Sequence, residues 1–459
     1  MLTDTIAAIA TPVGEAGLAV IRISGTTALD IADKCFEPVG KSSRKPSAAD
    51  THTIHFGHVV RNGSRIDEVL LSVMRAPRTF TKEDTVEITC HGGMLSTRLV
   101  LETVLAAGAR SAEPGEFTRR AFLNGRIDLT QAEAVADLIH SRSELALAAA
   151  NEQLAGKLSR RIEEVREDLM KTLAHVEAHI DFPDEDIAPD TKDQLIHRLE
   201  NGITFMNELL ATAKDGQILR NGIRVAIVGR PNAGKSSLLN QLLGHDRAIV
   251  STIAGTTRDT IEETAGIRGI PVIFVDTAGL RESVDEIERE GIRRSHDAWQ
   301  KAELILHVLD HSEPLTTEDE KYLAEFATKE RVLVRNKCDL PGRLEIPSTD
   351  REDSPPDVSV SCKTGQGIDA LKDTIKSLVW SGSVTAENLQ ITINSRHQTA
   401  LLRARESTEK AVAAMIEDFS LELVAMDLHI AVNAIGEIVG KTSTEDLLDK
   451  IFSQFCIGK

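Results

Sequence analysis

The sequence predicts a multidomain chain in which a small α+β domain is followed by an all-α domain split by an inserted α/β domain. Three observations predict this. The first 120 residues mix short β-like runs with Gly, Pro and Ser punctuation, apolar residues keep helical spacing on both sides of the middle of the chain, and residues 222–380 alternate apolar strand runs with polar helical segments. A length of 459 residues also exceeds one ordinary domain. We place the boundaries at 1–121, 122–215, 216–383 and 384–459.

Strands are expected at Leu18 to Ile23, Val69 to Met74 and Val86 to Thr89, with a helix from Leu95 to Ala107. Beyond Leu129, apolar residues at Leu147, Leu154, Leu158, Ile162, Val165, Leu169, Leu173, Val176 and Ile180 keep one face, which predicts a single long amphipathic helix. It ends at Phe182-Pro183, because proline disfavours helix at the preceding residue. A second helical stretch covers Lys192 to Ala213, and helical patterning returns from Ser395 to Ile451. Isolated helix pairs cannot bury an apolar stripe, so the helices before and after the α/β segment are expected to pack on each other. Pro347 to Asp357 reads as a solvated loop.

Composition narrows the function. Lys plus Arg number 53 against 71 Asp plus Glu, a net charge of −18, which argues against coating nucleic acid by bulk charge and leaves room only for a local patch. No run of roughly 18 apolar residues occurs, so no membrane span is expected. The start carries Asp4 where a secretory leader would be basic, and the expectation is a cytoplasmic protein. Cys35, Cys90, Cys338, Cys362 and Cys456 are scattered without a C-x-x-C pair, which suggests neither a disulfide framework nor zinc. His91 has no metal partner at ligand spacing along the chain.

Gly-Lys-Ser/Thr occurs at Gly40, Gly234 and Gly440, but only one copy has the right context. The apolar run Ile223 to Val228 leads into Gly229-Arg230-Pro231-Asn232-Ala233-Gly234-Lys235-Ser236 and then a helical segment. A loop that glycine permits, opening a helix, aims backbone N–H groups at phosphates, with Lys235 neutralising them and Ser236 holding Mg²⁺. Downstream, Asp276-Thr277-Ala278-Gly279 follows a strand, so that Asp276 can reach Mg²⁺ through water and Gly279 can face the γ-phosphate. Between them, Gly255-Thr256-Thr257-Arg258-Asp259 offers Thr257 as a metal ligand. Asn336-Lys337-Cys338-Asp339 follows the run Val332 to Val334, and the Asp339 carboxylate can accept both guanine N–H donors, which favours GTP over ATP. Ser361-Cys362-Lys363, after Val358 to Val360, is placed to support the base. The ordered set resembles the Ras-like and translation-factor P-loop GTPases over residues 216–383. The residue after Gly279 is Leu280, where Ras-like enzymes carry a water-orienting Gln, so another group must orient water. Glu282, Asp285, Glu286 and Glu288 are the carboxylates at hand.

With GRPNAGKSS, AGTTRD, DTAGLRE and NKCD, the terminal Cys456-Ile457-Gly458-Lys459 completes a pattern similar, end to end, to the bacterial tRNA-modification GTPases of the MnmE (TrmE) family. The resemblance implies a homodimeric, K⁺-stimulated GTPase, activated by dimerisation of its G domains. It works with the flavoprotein MnmG, which carries FAD, in a heterotetramer or larger assembly. Together they would add an aminomethyl or carboxymethylaminomethyl group to carbon 5 of the wobble uridine, position 34, of certain tRNAs. GTP contacts carry over to Asn232, Ala233, Gly234, Lys235, Ser236 and Ser237, to Ser251, Thr252, Ile253, Ala254, Gly255, Thr256 and Thr257, and to the DTAG, NKCD and SCK residues named above. K⁺ ligands map to Asn232, Ser251, Ile253 and Thr256, and the water-orienting Glu falls on Glu288. The N-terminal domain is similar to folate-binding one-carbon enzymes. Arg22, Glu87, Arg126 and Lys459 match contacts to a tetrahydrofolate derivative, 5,10-methylene- or 5-formyl-tetrahydrofolate. Cys456, by default a small buried hydrophobe, becomes a thiol required for modification on this likeness. The G domain alone would equally fit a regulatory or ribosome-assembly GTPase.

Overall fold

The structure, a computed structural model, describes residues 4–40, 44–182, 191–244, 262–275, 299–346, 354–380, 392–442 and 444–458. The chain divides into two compact units, one formed by Met1–Ala136 with Asn433–Lys459 and the other by Asp137–Val432.

In the first unit, strands β1 (Ile6–Ile9), β2 (Ala16–Ser24), β3 (Phe36–Pro38), β4 (Thr53–Arg61), β5 (Ser64–Met74), β6 (Thr85–Gly92) and β7 (Arg110–Ser111) form a seven-stranded sheet in the order β3-β4-β5-β6-β2-β1-β7. Only the β1–β7 pairing is parallel. Period-2 alternation sorts the side chains to two faces. Ala7, Ile21, Ile23, Val86 and Ile88 pack with α1 (Ala28–Cys35) and α2 (Met94–Ala106) in the main core. From the other face Ile6 and Ala8 join Ala112 and Phe117, the latter on α3 (Glu116–Leu123), in a smaller cluster with Phe80 packed against it. Leu129 and Ala132, which open α4 (Leu129–His140), pack with Leu448, Ile451, Phe452 and Phe455 of the C-terminal segment. Pairing extends the expected strands and adds β1, β3, β4 and β7, whose short or weakly alternating runs carry little signal of their own.

The second unit contains α5 (Glu144–Leu154), α6 (Lys157–Asp181), α7 (Lys192–Ala211) and α8 (Ala213–Asn221). The single long helix expected from periodicity is two helices. Gly156 sits in the left-handed region at φ +79, which stops α5 and restarts the chain as α6; α5 buries Ala146, Ala149 and Ala150 and leaves Leu147 of the expected stripe exposed, whereas α6 buries Leu158, Ile162, Val165, Leu169, Leu173 and Val176. The α/β segment follows as β8 (Ile223–Val228), α9 (Lys235–Leu243), β9 (Glu263–Ile267), β10 (Ile270–Val275), β11 (Leu304–Asp310), α10 (Thr317–Glu325), β12 (Arg331–Asn336), β13 (Asp357–Ser359) and α11 (Ile368–Val379). Its sheet has the order β13-β12-β11-β8-β10-β9. The expected parallel sheet is therefore mixed, because the Arg268-Gly269 turn folds β9 back antiparallel on β10.

Helices α12 (Ser395–Ile416) and α13 (Leu421–Val439) come next, and α14 (Glu445–Phe452) lies in the C-terminal segment. The helices flanking the α/β segment meet as expected. Arg405 donates to Asn207 Oδ1 at 3.0 Å, Gln217 to Gln398 Oε1 at 3.1 Å, and Glu177 pairs with His429 at 2.8 Å. No helix among the described residues is long and apolar enough to cross a membrane. All five cysteines are free thiols.

Candidate functional site

The phosphate loop is built where a buried strand ends. Ile223, Val225 and Ile227 belong to the core of the α/β segment, so β8 delivers Gly229 to the sheet's C-terminal edge. Gly229 has φ +144, and a Cβ there would lie 2.3 Å from the Val308 carbonyl oxygen, so no other residue fits. Asn232 and Gly234 also take positive φ, at +62 and +99, which turns the loop into the first turn of α9. Ser236 and Ser237 stand exposed on that turn, while Ala233 is buried beneath the loop. Lys235 folds back across the loop and donates to the Gly229 and Arg230 carbonyls at 2.7 and 3.0 Å. Burial holds its ammonium below the usual lysine range. A phosphate arriving at the helix N-terminus exchanges two neutral acceptors for an anion, which further favours the charged form.

The base loops converge on the same place. Asn336 is only 2% exposed. Its amide donates to the Ala233 carbonyl at 2.9 Å, and its Oδ1 accepts from the Cys362 N–H at 3.2 Å. One side chain thus clamps the phosphate loop to both base loops. Asp339 is exposed and accepts from the Ser361 hydroxyl at 2.7 Å, a bond that holds its carboxyl below the usual range and keeps it ionised toward a base. Lys363 adds positive charge from the exposed end of the same turn. Cys362 is half-buried, and burial pushes its thiol up to about 11, so it serves through its backbone and packing rather than as a nucleophile.

In the first unit a second constellation forms around strand pairing. Arg22 and Glu87 are opposed residues of β2 and β6, and they make a 2.8 Å ion pair. The Arg22 guanidinium also lies over the Phe117 ring at 5.7 Å and donates to the Gly458 carbonyl at 3.2 Å. Arg126 lies over Phe80 at 4.8 Å, so the two arginines cap rings of one apolar cluster. The tail reaches this place by an antiparallel bridge between Pro114 and Ile457. Gly458 takes φ +94 against Ile9, where a Cβ would meet the Ile9 carbonyl oxygen at 2.3 Å. Cys456 is exposed, contrary to the default reading of a buried thiol, because the bridge turns Phe455 inward and leaves Cys456 facing out.

A sequence profile described as the MnmE helical domain matches residues 129–456, and one described as the GTP-binding protein TrmE N-terminus matches residues 5–126. The chain is 46% identical over 460 residues to the tRNA modification GTPase MnmE of Geobacillus kaustophilus, covering 99% of each chain. The chain belongs to the MnmE (TrmE) family. It is likewise 47% identical over 461 residues to the Geobacillus thermodenitrificans MnmE, covering 99% of each, and 47% identical over 463 residues to that of Chloroflexus aurantiacus, covering 100% of each.

For this MnmE-family chain the structure brings together Asn232, Ala233, Gly234, Lys235, Ser236, Asn336, Asp339, Ser361 and Cys362 around one loop edge, and Arg22, Glu87 and Arg126 around another cluster. Ser251 through Thr257, Asp276, Thr277, Ala278, Gly279, Glu288 and Lys459 lie outside the described residues. Sequence reading missed Phe80 and Phe117, and it missed the carboxylates that hold Arg230 and Lys337. It also missed Asp67, whose carboxylate contacts His91 Nδ1 at 2.7 Å from the neighbouring strand β5. Spacing along the chain cannot reveal a cross-strand partner. Among the described residues no group of three or more His, Cys, Asp or Glu is arranged to hold a metal.

Proposed function

We propose that this chain is a GTP-hydrolysing tRNA modification enzyme, as the full-length likeness to curated tRNA modification GTPases supports. One observation carries the reading in its finer form. A single chain holds both the loops that carry the phosphate and base motifs, clamped by Asn336, and a C-terminal segment whose Gly458 carbonyl accepts from Arg22. In this reading residues 216–383 hydrolyse GTP, residues 1–121 bind folate and dimerise, and residues 122–215 with 384–459 form the helical domain.

Mg²⁺ fits the hydroxyl exposed at Ser236 on the first turn of α9, and Thr257 would complete the pair of protein ligands. The ion supplies charge neutralisation at the β- and γ-phosphates. Asn232, exposed at the head of the loop, suits a K⁺ ligand, with Ser251, Ile253 and Thr256 as the others. The added positive charge would take the place of an arginine finger. Glu288 would orient water where Leu280 cannot. Arg22 and Arg126, each over an aromatic ring, suit the carboxylates of a tetrahydrofolate derivative, with Lys459 adding a third cation. Glu87 suits the donor edge of a pterin, although Arg22 already engages it in the described arrangement. The exposed thiol of Cys456 suits a role at the modification site. The chain would act as a homodimer with MnmG and its FAD on wobble uridine 34, in the cytoplasm. With a net charge of −18, much of the tRNA-binding surface would come from the partner.

The test is nucleoside mass spectrometry of bulk tRNA from cells lacking the gene, complemented with the unsubstituted chain or with Cys456→Ser. Loss of carbon-5 aminomethyl-type uridines, restored only by the unsubstituted chain, is expected. Unchanged nucleosides would favour a ribosome-assembly or regulatory GTPase instead.

A further inference from the structure

The described site contains a buried carboxylate that neither phosphate contact nor base contact requires. Asp310 closes strand β11 and is 4% exposed. It accepts from Lys337 Nζ at 2.5 Å, and from the Ser312 hydroxyl and N–H at 2.6 and 2.9 Å. Burial pushes its carboxyl up, but the bonds from Lys337 and Ser312 outweigh that and hold it below the usual range. Arg230 of the phosphate loop lies 4.0 Å from the same carboxylate.

The two cations depend on Asp310 unequally. Arg230 also pairs with Glu313 and lies 3.5 Å from Asp319, so it keeps two anions if Asp310 loses its charge. Lys337 has Asp310 as its one ion-pair partner among the described residues. Lys337 also holds φ +66, a left-handed conformation that a lysine keeps only where its surroundings over-determine it. The pair is not a solvated surface contact, because the acid is buried and removing one charge strands the other.

We propose that Asp310 is a positioning residue for guanine recognition, holding Lys337 and with it the left-handed turn that aims Asp339 at the base. The inference rests on the guanine-nucleotide reading of the site and deepens it. Asp310 acts through Lys337 and touches no ligand itself.

The test measures binding of a fluorescent GDP and, by calorimetry, of inorganic pyrophosphate to the full chain and its variants. Pyrophosphate engages the phosphate loop alone. Asp310→Asn is expected to weaken GDP at least tenfold and pyrophosphate less than twofold. The double variant Asp310→Asn/Lys337→Met should bind GDP within twofold of Lys337→Met alone, because the two residues act as one unit. Asp310→Glu, which keeps the charge, should recover most of the loss and serves as the reading if the Asn variant does not fold. Equal losses for GDP and pyrophosphate would overturn the proposal, as would multiplied losses in the double variant or no recovery by Glu. An unsubstituted chain that binds pyrophosphate but not GDP would overturn the guanine reading itself.

Discussion

Replacing Gly234 with alanine tests whether the phosphate loop and the base loops form one mechanical unit. Gly234 holds φ +99, where alanine costs about 1 kcal/mol. The added Cβ would lie 2.1 Å from Asn336 Nδ2, an overlap that only movement of the Asn336 side chain relieves. That movement breaks the 2.9 Å bond to the Ala233 carbonyl and the 3.2 Å bond from the Cys362 N–H. At 2% exposure, water does not replace these bonds, and each costs about 1 to 2 kcal/mol. With the strain the loss comes to about 3 to 5 kcal/mol. If half of it falls on the binding-competent arrangement, about 1.5 to 2.5 kcal/mol, the Kd for GDP rises about 10- to 70-fold. Titration with a fluorescent GDP measures the affinity, and urea unfolding monitors the remainder. The double variant Gly234→Ala/Asn336→Ala gives the Cβ room, so its affinity should fall below that of Asn336→Ala by no more than the strain of about 1 kcal/mol. Affinity of Gly234→Ala within threefold of the unsubstituted chain, or fully additive losses in the double variant, would refute the reasoning.

Three further outcomes are expected. Asp339→Asn should weaken GTP and shift preference toward xanthosine triphosphate, because the amide offers a donor where guanine needs an acceptor; competition binding that leaves guanine selectivity unchanged would reject the role of Asp339. GTP hydrolysis should run faster in KCl than in NaCl, and Asn232→Ala should abolish the difference; equal rates in both salts for the unsubstituted chain would remove the K⁺ assignment. His307 is fully buried in β11, neither ring nitrogen has a hydrogen-bond partner among the described residues, and burial, with Arg331 nearby, pushes it down to about 4. An unfolded histidine titrates near 6.5, so between these values the unfolded chain binds the proton and the folded chain does not. Stability should therefore fall by about 3 kcal/mol as pH drops from 7 toward 4. His307→Phe should flatten this acid limb in urea unfolding, and an unchanged limb would show that His307 is not its source.

The strands, loop and helix around the Gly229–Ser236 and Asn336–Asp339 segments were legible because each is local. The run Ile223 to Val228 is apolar throughout, Gly229 and Gly234 punctuate it, and the helix follows at once, so strand, loop and helix are set by neighbours in sequence. The same locality explains the error over α5 and α6. Helical spacing continues through Gly156, and the left-handed turn there leaves no mark in the period. The antiparallel edge strand β9 was missed for a related reason. Its five residues, Glu-Thr-Ala-Gly-Ile, alternate weakly, and pairing with β10 rather than propensity makes them a strand.

By itself the sequence determined the strand and helix on either side of residues 229–234 and the strand that leads into Asn336, because these follow from side-chain period and glycine spacing over short stretches. Tertiary structure alone decided which distant groups meet. Arg22 and Glu87 are 65 positions apart and touch because the register of β2 on β6 sets them opposite each other. Arg22 and Gly458 are 436 apart and meet through the docking of the tail. Asp310 and Lys337 are 27 apart and pair because β11 and β12 run side by side and end together. Strand register and tail docking are long-range contacts, and their geometry is set by the packing of the whole sheet.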